Sequence, residues 1–233
     1  EALALASMSA AAGYGGTMIA VTSSHFGSAE KEFRFPLGYA NQRPLSSHWT
    51  VTGSGAFLVQ SAEEYRKQNT KSYFSNIRIT GVTVGKIVDY GLKDSQNMGA
   101  CMAPAAMDTI VQNFQDMERK EKDYDRIITG DLGSIGRTIL FDLIREKGYD
   151  ICEKHMDCGM TIFDKERQDT HAGGSGCGCA AVTLASYVLP KLEKGEWKRV
   201  LFVPTGALMS TVSFNEGASV PGIAHGIVLE SDA

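Results

Sequence analysis

The apolar and polar positions of this chain fall in blocks whose period changes from helical to extended and back several times. Residues 1–14, EALALASMSAAAGY, contain no Pro and no β-branched residue, which is helix composition. So many small side chains predict a helix buried on most sides and packed close to its neighbours. TMIAVTSS, Thr17–Ser24, is a short apolar run suited to a strand. Residues 25–49 are polar and aromatic, hold FRFP and NQRP, and read as an excursion over the surface or an interface. TVTGSGAFLVQ, residues 50–60, is β-branched and apolar around a Gly-Ser-Gly centre, as in a strand with a bulge or a close contact. NIRITGVTVGKIV, residues 76–88, alternates and predicts another long strand.

A polar stretch over 89–97 precedes a helical pattern at about 103–119. RIITG, residues 126–130, is a strand; the loop DLGSIG and a helix ending near Gly148 follow it. CEKHMDCG, residues 152–159, lies in a polar segment, and HAGGSGCGC, residues 171–179, leads into a helix that reaches about Lys194 and stops at Gly195. RVLFVPTG and HGIVLE are two more buried strands. Strands alternating with helices at this spacing predict βαβ units in a largely parallel sheet, an α/β protein. No short tandem repeat is present, although the two halves share a helix-then-strand rhythm.

Composition narrows the function classes. The 233 residues allow one large domain or two small ones. With 43% hydrophobic and 21% charged residues the chain is neither disordered nor fibrous. A net charge of −4 without a basic block argues against nucleic acid as a partner. No apolar run approaches the length of a membrane span. Five cysteines are too few and odd in number for a disulfide framework, so reduced thiols are expected. The 25 glycines exceed the roughly 16 that average usage would give. They sit in short clusters between apolar runs, where backbone approaches backbone or ligand. Glu1 opens the sequence inside a helical run, which reads as a fragment that starts within a domain.

Several constellations invite chemistry. Cys152, His155 and Cys158, with His171, Cys177 and Cys179 downstream, suggest zinc. The spacing is poor, because alternate residues on a helical first turn diverge by about 200°; small buried thiols are the plain alternative. TGDLGSIG has the glycines of a phosphate-binding turn, yet it is neither GxGxxG nor the Lys-bearing nucleotide loop. Asp131 stands at the carboxyl end of a strand, where ligands of α/β sheets bind; a helix-capping or turn carboxylate explains it equally. In HAGGSGCGCAA the first-turn N–H groups can receive an anion, and a helix terminus lowers a thiol pKa. Cys177 or Cys179 is therefore a candidate nucleophile, though no His–carboxylate pair is near in sequence. His25, His48 and His225 are isolated, but His25 follows one strand and His225 precedes another.

Together these segments resemble the thiolase-like superfamily of thiolases and ketoacyl synthases. The opening helix is similar to the family's nucleophile helix. TVTGSGA resembles its Gly-Asp-Gly-Ala strand with Ser54 in place of Asp, and RIITGDLG takes the place of the loop that carries the catalytic His. GGSGCGCAA resembles the segment whose Asn completes the synthase triad, and PGIAHGIVLE the glycine-rich final loop and strand. The resemblance implies a layered αβαβα fold of two similar halves, N-terminally truncated. Residues 1–92 would be the remainder of the first half and residues 93–233 the second. The nucleophilic Cys would stand before Glu1. At the two oxyanion-donor positions the sequence has Gly130 or Asp131 instead of His, and Gly174 or Ser175 instead of Asn.

Within the superfamily, MAPAAMDTI, DYDRIITGDLGSIG, KHMDCGM, AGGSGCGC and IAHGIVLE resemble, in order, a family of sporulation proteins of spore-forming bacteria. That resemblance implies a non-catalytic protein that binds dipicolinic acid, as its calcium chelate, for uptake into the spore and release at germination. It implies no cofactor beyond calcium brought with the ligand. It also implies a homodimer joined along the strand at 50–60, other subunits of a spore membrane channel assembly as partners, and a peripheral place on the inner spore membrane. The expected ligand-binding residues are Asp131 for an ion or hydrogen bond, Gly174 and Ser175 as anion-facing groups, Cys177 in the wall, and His25 and His225 at the mouth. An acyl-CoA-dependent acyltransferase or ketoacyl synthase-like enzyme is the competing class, and an interaction scaffold with a vestigial pocket is a third.

Overall fold

The computed structural model describes residues 1–33, 43–67 and 76–232. Residues 34–42 of the surface excursion expected over 25–49 therefore lie outside the described residues. Along the chain come α1 (Ala2–Ala11), β1 (Thr17–Ser24), α2 (Phe26–Phe33), β2 (His48–Thr50), β3 (Gly53–Gln60), α3 (Ala62–Lys67) and β4 (Ile77–Thr83). The second stretch runs α4 (Met98–Asp116), β5 (Arg126–Thr129), α5 (Gly133–Glu146), β6 (His155–Asp157), α6 (Cys158–Thr161), β7 (Gly173–Ser175) and α7 (Cys177–Thr183). A π-helical turn, Leu184–Val188, joins α7 to α8 (Leu189–Glu193). Last come β8 (Arg199–Val203), β9 (Thr205–Ala207), α9 (Thr211–Asn215), β10 (Gly222–Ala224) and β11 (Gly226–Ser231).

The main sheet has the order β4-β11-β8-β5-β6. Strands β8, β5 and β6 are parallel, whereas β11 is antiparallel to both β8 and β4. The sheet is thus mixed, not largely parallel. A parallel return from β8 needs a long crossover; the intervening residues instead form the β9–β10 pair and the five-residue α9. Strand β4 precedes the division expected at residue 92, yet it is hydrogen-bonded into this sheet. Strand β6 lies in the polar CEKHMDCG segment; three residues, two of them His and Asp, leave no hydrophobic period to read.

Side-chain alternation sets the layers. Ile127, Leu201 and Val228 point to one face of the sheet and join a core with Ala106, Ile110 and Leu140 of α4 and α5. Ile128, Val200, Phe202 and Leu229 point to the other face and pack with Ala4 of α1 and Cys179 and Ala180 of α7. Each fully buried aliphatic side chain contributes about 1.5–3 kcal/mol. Beyond α1 and α7 lies the antiparallel ribbon β1–β3, whose register runs from Thr17↔Gln60 to Ser24↔Gly53. The described residues therefore build four successive layers, helix, sheet, helix and sheet. The outer face of the ribbon exposes Ile19, Val21 and Leu58.

Helix α4 begins at Met98, five residues before the expected start, and carries Pro104 inside. The Asn97 side chain caps it by accepting the Ala100 N–H. The early start brings Gly99 against Gly136 of α5. A Cβ on Gly99 would lie 2.4 Å from the Leu132 carbonyl oxygen and 3.0 Å from the Gly136 nitrogen. Gly99→Val is expected to cost about 2–3 kcal/mol, at the upper end for overpacking, and chemical denaturation measures it. An unchanged midpoint would show that α4 and α5 do not meet this closely.

Candidate functional site

Parallel strands of an α/β sheet gather polar groups where their carboxyl ends meet the following loops. Here the ends of β5 and β8, the start of α7, the inner face of β1–β3 and the β10–β11 junction enclose a cavity of about 320 Å³. Phe57, Leu184, Phe202 and Ile223 make apolar walls. Glu1, Thr22, Asp131, Cys177, Thr205 and His225 supply the polar side chains, and none of the described lining residues is Lys or Arg. A second, more open groove of about 510 Å³ is lined by Phe26, Trp49, Phe163 and other residues without a titratable side chain. The smaller cavity, with its carboxylate, thiol and imidazole, is the candidate site.

Asp131 organises it. Its Oδ2 accepts the Gly176 N–H at 2.9 Å and the Ser175 hydroxyl at 3.3 Å, and its Oδ1 accepts the Thr205 hydroxyl at 2.8 Å. A carboxylate offers about four lone-pair sites, so one on Oδ1 remains. The residue is 7% exposed, and burial raises its pKa to about 6 against the three hydrogen bonds that favour the anion. Gly176, at φ +93°, turns the chain from β7 into α7 with its N–H on Asp131. Of the pair expected to face an anion, Ser175 instead donates its hydroxyl to a carboxylate of the same chain, beside the Gly176 N–H.

A second buried carboxylate braces the turn from behind. Asp157, at the end of β6, accepts the Thr129 hydroxyl at 2.7 Å and the Leu132 N–H at 2.9 Å on Oδ2. Its Oδ1 accepts the Gly133 and Met160 N–H groups, both at 3.1 Å. Burial pushes its pKa up against these bonds. All four acceptor sites are filled, which makes Asp157 a clamp on the loop that carries Asp131.

Of the residues singled out in the sequence, Asp131, Cys177 and His225 line the cavity, and Ser175 touches it through Asp131. Gly174 is elsewhere: a Cβ there would meet Ile162, Phe163 and Val51, which line the other groove. His25 is exposed, and its Nδ1 accepts the Gly27 N–H outside the cavity. Cys177 donates its thiol to the Ser23 carbonyl at 3.0 Å. Cys179 is fully buried, and burial pushes its thiol upward with Asp131 and Asp157 adding to the shift. That removes the low-pKa thiolate considered for it. No group of three or more His, Cys, Asp or Glu among the described residues could hold a metal ion. Thr205, Thr22 and Phe57 were not anticipated. Thr205 could have been found by the rule that selected Asp131, since it follows β8 as Asp131 follows β5. Thr22 and Phe57 lie on the inward alternation of the ribbon.

The layered fold is the thiolase and ketosynthase architecture. AbyA1, a tetronic acid condensing enzyme, aligns with 99% of this chain and 64% of its own, at a TM-score of 0.54 and 12% identity. 3-Oxoacyl-[acyl-carrier-protein] synthase III from Aquifex aeolicus VF5 aligns with 98% of this chain and 62% of its own, at 0.52 and 10% identity. At such identities the likeness concerns the fold alone. Residues 1–230 match the stage V sporulation protein AD family. Stage V sporulation protein AD of Bacillus subtilis (strain 168) is 42% identical over 230 residues, covering 99% of this chain. The chain belongs to the stage V sporulation protein AD family and spans 64% of the length of that relative. No helix among the described residues is long and apolar enough to cross a membrane.

The Asp131 carboxyl titrates at about 6 when folded and near 3.9 when unfolded. Between these values the folded state keeps a proton that the unfolded state has released. Asp131 thus contributes stability present below about pH 4 and lost as pH rises through about 6. The two-unit difference corresponds to at most ~3 kcal/mol. Unfolding measured from pH 4 to 7 should show Asp131→Asn gaining on the unsubstituted protein as pH rises. Asp131→Ala, which orphans the Gly176 N–H and the Thr205 hydroxyl, should lose about 2–3 kcal/mol near neutrality. A pH-independent gap between the Asn variant and the unsubstituted protein would contradict the buried-carboxylate assignment.

Proposed function

We propose that this chain forms the ligand-binding part of a non-catalytic sporulation protein, and that its ligand is dipicolinic acid carried as the calcium chelate. The observation that carries the reading is the Asp131 carboxylate inside the cavity, at a position where the resemblance calls for an oxyanion donor, bonded to the Ser175 hydroxyl and the Gly176 N–H. Acyl transfer through a thioester develops negative charge on oxygen and depends on hydrogen-bond donors aimed at it. Losing one such donor costs about 10²–10³-fold in rate. Here the Gly176 N–H is engaged by Asp131. A carboxylate about 4 Å from a developing oxyanion repels it by roughly 4 kcal/mol at a protein-like dielectric.

The same charges select the ligand form. A bare dicarboxylate dianion entering a half-apolar cavity lined by the carboxyl groups of Asp131 and Glu1, with no Lys or Arg among the described lining residues, would be both desolvated and repelled. A chelate carries its own cation, and the remaining Oδ1 lone pair of Asp131 suits that cation. Phe57 and Phe202 offer apolar surface to a flat ring. Family membership supports a role in sporulation. We place the intact protein, as a homodimer, with the subunits of a spore membrane channel at the inner spore membrane, loading the chelate during uptake and releasing it at germination.

Calorimetric titration of the intact protein tests this reading. Calcium dipicolinate should bind, and dipicolinate with excess chelator should bind at least about tenfold more weakly. Acyl-CoA should leave no covalent adduct in the mass spectrum. Silence with the chelate would overturn the assignment in favour of an interaction scaffold with a vestigial pocket, and an acyl-enzyme adduct would overturn it in favour of the acyltransferase class.

A further inference from the structure

The cavity's polar groups are mostly bonded to one another. Asp131 accepts from Gly176, Ser175 and Thr205, and the Cys177 thiol donates to the Ser23 carbonyl. Among the described residues, the lining side chains that keep a hydrogen-bonding donor without a protein partner are Thr22 and His225. The two differ in kind. A threonine hydroxyl rotates and both donates and accepts, whereas the imidazole is held in one state by its surroundings.

The His225 Nδ1 lies 3.1 Å from the backbone nitrogen of Gly85. An amide N–H only donates, so Nδ1 must accept, and in a neutral imidazole the proton then resides on Nε2. The approach depends on residue 85 having no side chain. A Cβ there would stand 1.7 Å from the Ala224 carbonyl oxygen and 2.6 Å from Thr109 Oγ1. That carbonyl is itself fixed by the Thr109 hydroxyl, which donates to it at 2.9 Å. Helix α4 and the segment after β4 therefore hold the ring by its Nδ1 side. Protonation would set a second N–H against that of Gly85; burial, with the Glu1 α-amino group, pushes the His225 pKa down, against the Glu1 carboxylate of the cavity lining, which acts the other way.

We propose that His225 is the residue that reads the ligand: a neutral imidazole, its proton fixed on Nε2 by Gly85, donating to an acceptor oxygen of the bound molecule. This rests on the reading of the cavity as a site for a small planar carboxylate neutralised by its own cation. A neutral donor fits such a ligand. It supplies the hydrogen bond that a carboxylate oxygen requires on leaving water without adding a charge that the chelate does not need.

The test uses intact protein with ¹⁵N-labelled histidine at pH 7.5. Without ligand, the nitrogens of His225 should resonate as a pyridine-type Nδ1 and a pyrrole-type Nε2, and Gly85→Ala should erase that pattern. Adding calcium dipicolinate should shift Nε2 more than Nδ1. In titrations His225→Phe should weaken the chelate about tenfold. His225→Gln, whose amide can accept from Gly85 and donate to the ligand, should restore most of the loss. The opposite tautomer or an imidazolium in the free protein would overturn the proposal. So would unchanged affinity in both variants while the unsubstituted protein binds, and that result would leave the ligand reading intact. Failure of the unsubstituted protein to bind the chelate would overturn the ligand reading first, and the role of His225 with it.

Discussion

The arrangement around the cavity depends on one buried anion. The carboxylate of Asp131 holds the end of β5, the β7–α7 turn and the start of β9 together through Gly176, Ser175 and Thr205. Three segments far apart in sequence converge because one acceptor can satisfy three donors at once, and a group removed so far from water is stable only when it does. Asp157 repeats the device one strand over, filling its four acceptor sites from Thr129 of β5, Leu132 and Gly133 of the loop that carries Asp131, and Met160 of α6. A residue at 131 without an acceptor would leave the loops free to separate. An unbonded charge there would be expelled.

This constraint links the fold to the functional reading. In a condensing enzyme the corresponding space must receive negative charge at the moment of reaction. Here a carboxyl group, ionised above about pH 6, is a fixed part of the wall, and it accepts the neighbouring N–H. The electrostatics of such a hollow favour neutral or cation-bearing guests. His225, uncharged and held from behind by Gly85, accords with that preference.

Much of the fold was legible because it is written in periodicity. β1 coincides with the run TMIAVTSS, and β5, β8 and β11 coincide with apolar stretches bounded by glycine or charge. What periodicity could not convey was pairing: the antiparallel return of β11 follows from the β9–β10 connection, and β6 is too short and polar to carry a pattern. In the site, Asp131 was accessible from its place after a strand, but its partners were not. Nothing in the spacing of residues 131, 175, 176 and 205 announces a shared carboxylate, and the helix-terminus rule that pointed to a free anion site overlooked an acceptor from elsewhere in the chain. Cys179 shows the same limit: its place near a helix start suggested reactivity, while its depth decides against it.

The contact between Gly99 and Gly136 reaches further than the packing of two helices. Gly99 abuts the Leu132 carbonyl, so α4 presses directly on the turn bearing Asp131 from the reverse side of the sheet. The cavity wall is thereby braced from the opposite face of the sheet, through a helix that is itself largely buried. A substitution within α4 that never reaches the cavity would then still displace the loop whose carboxylate forms its wall.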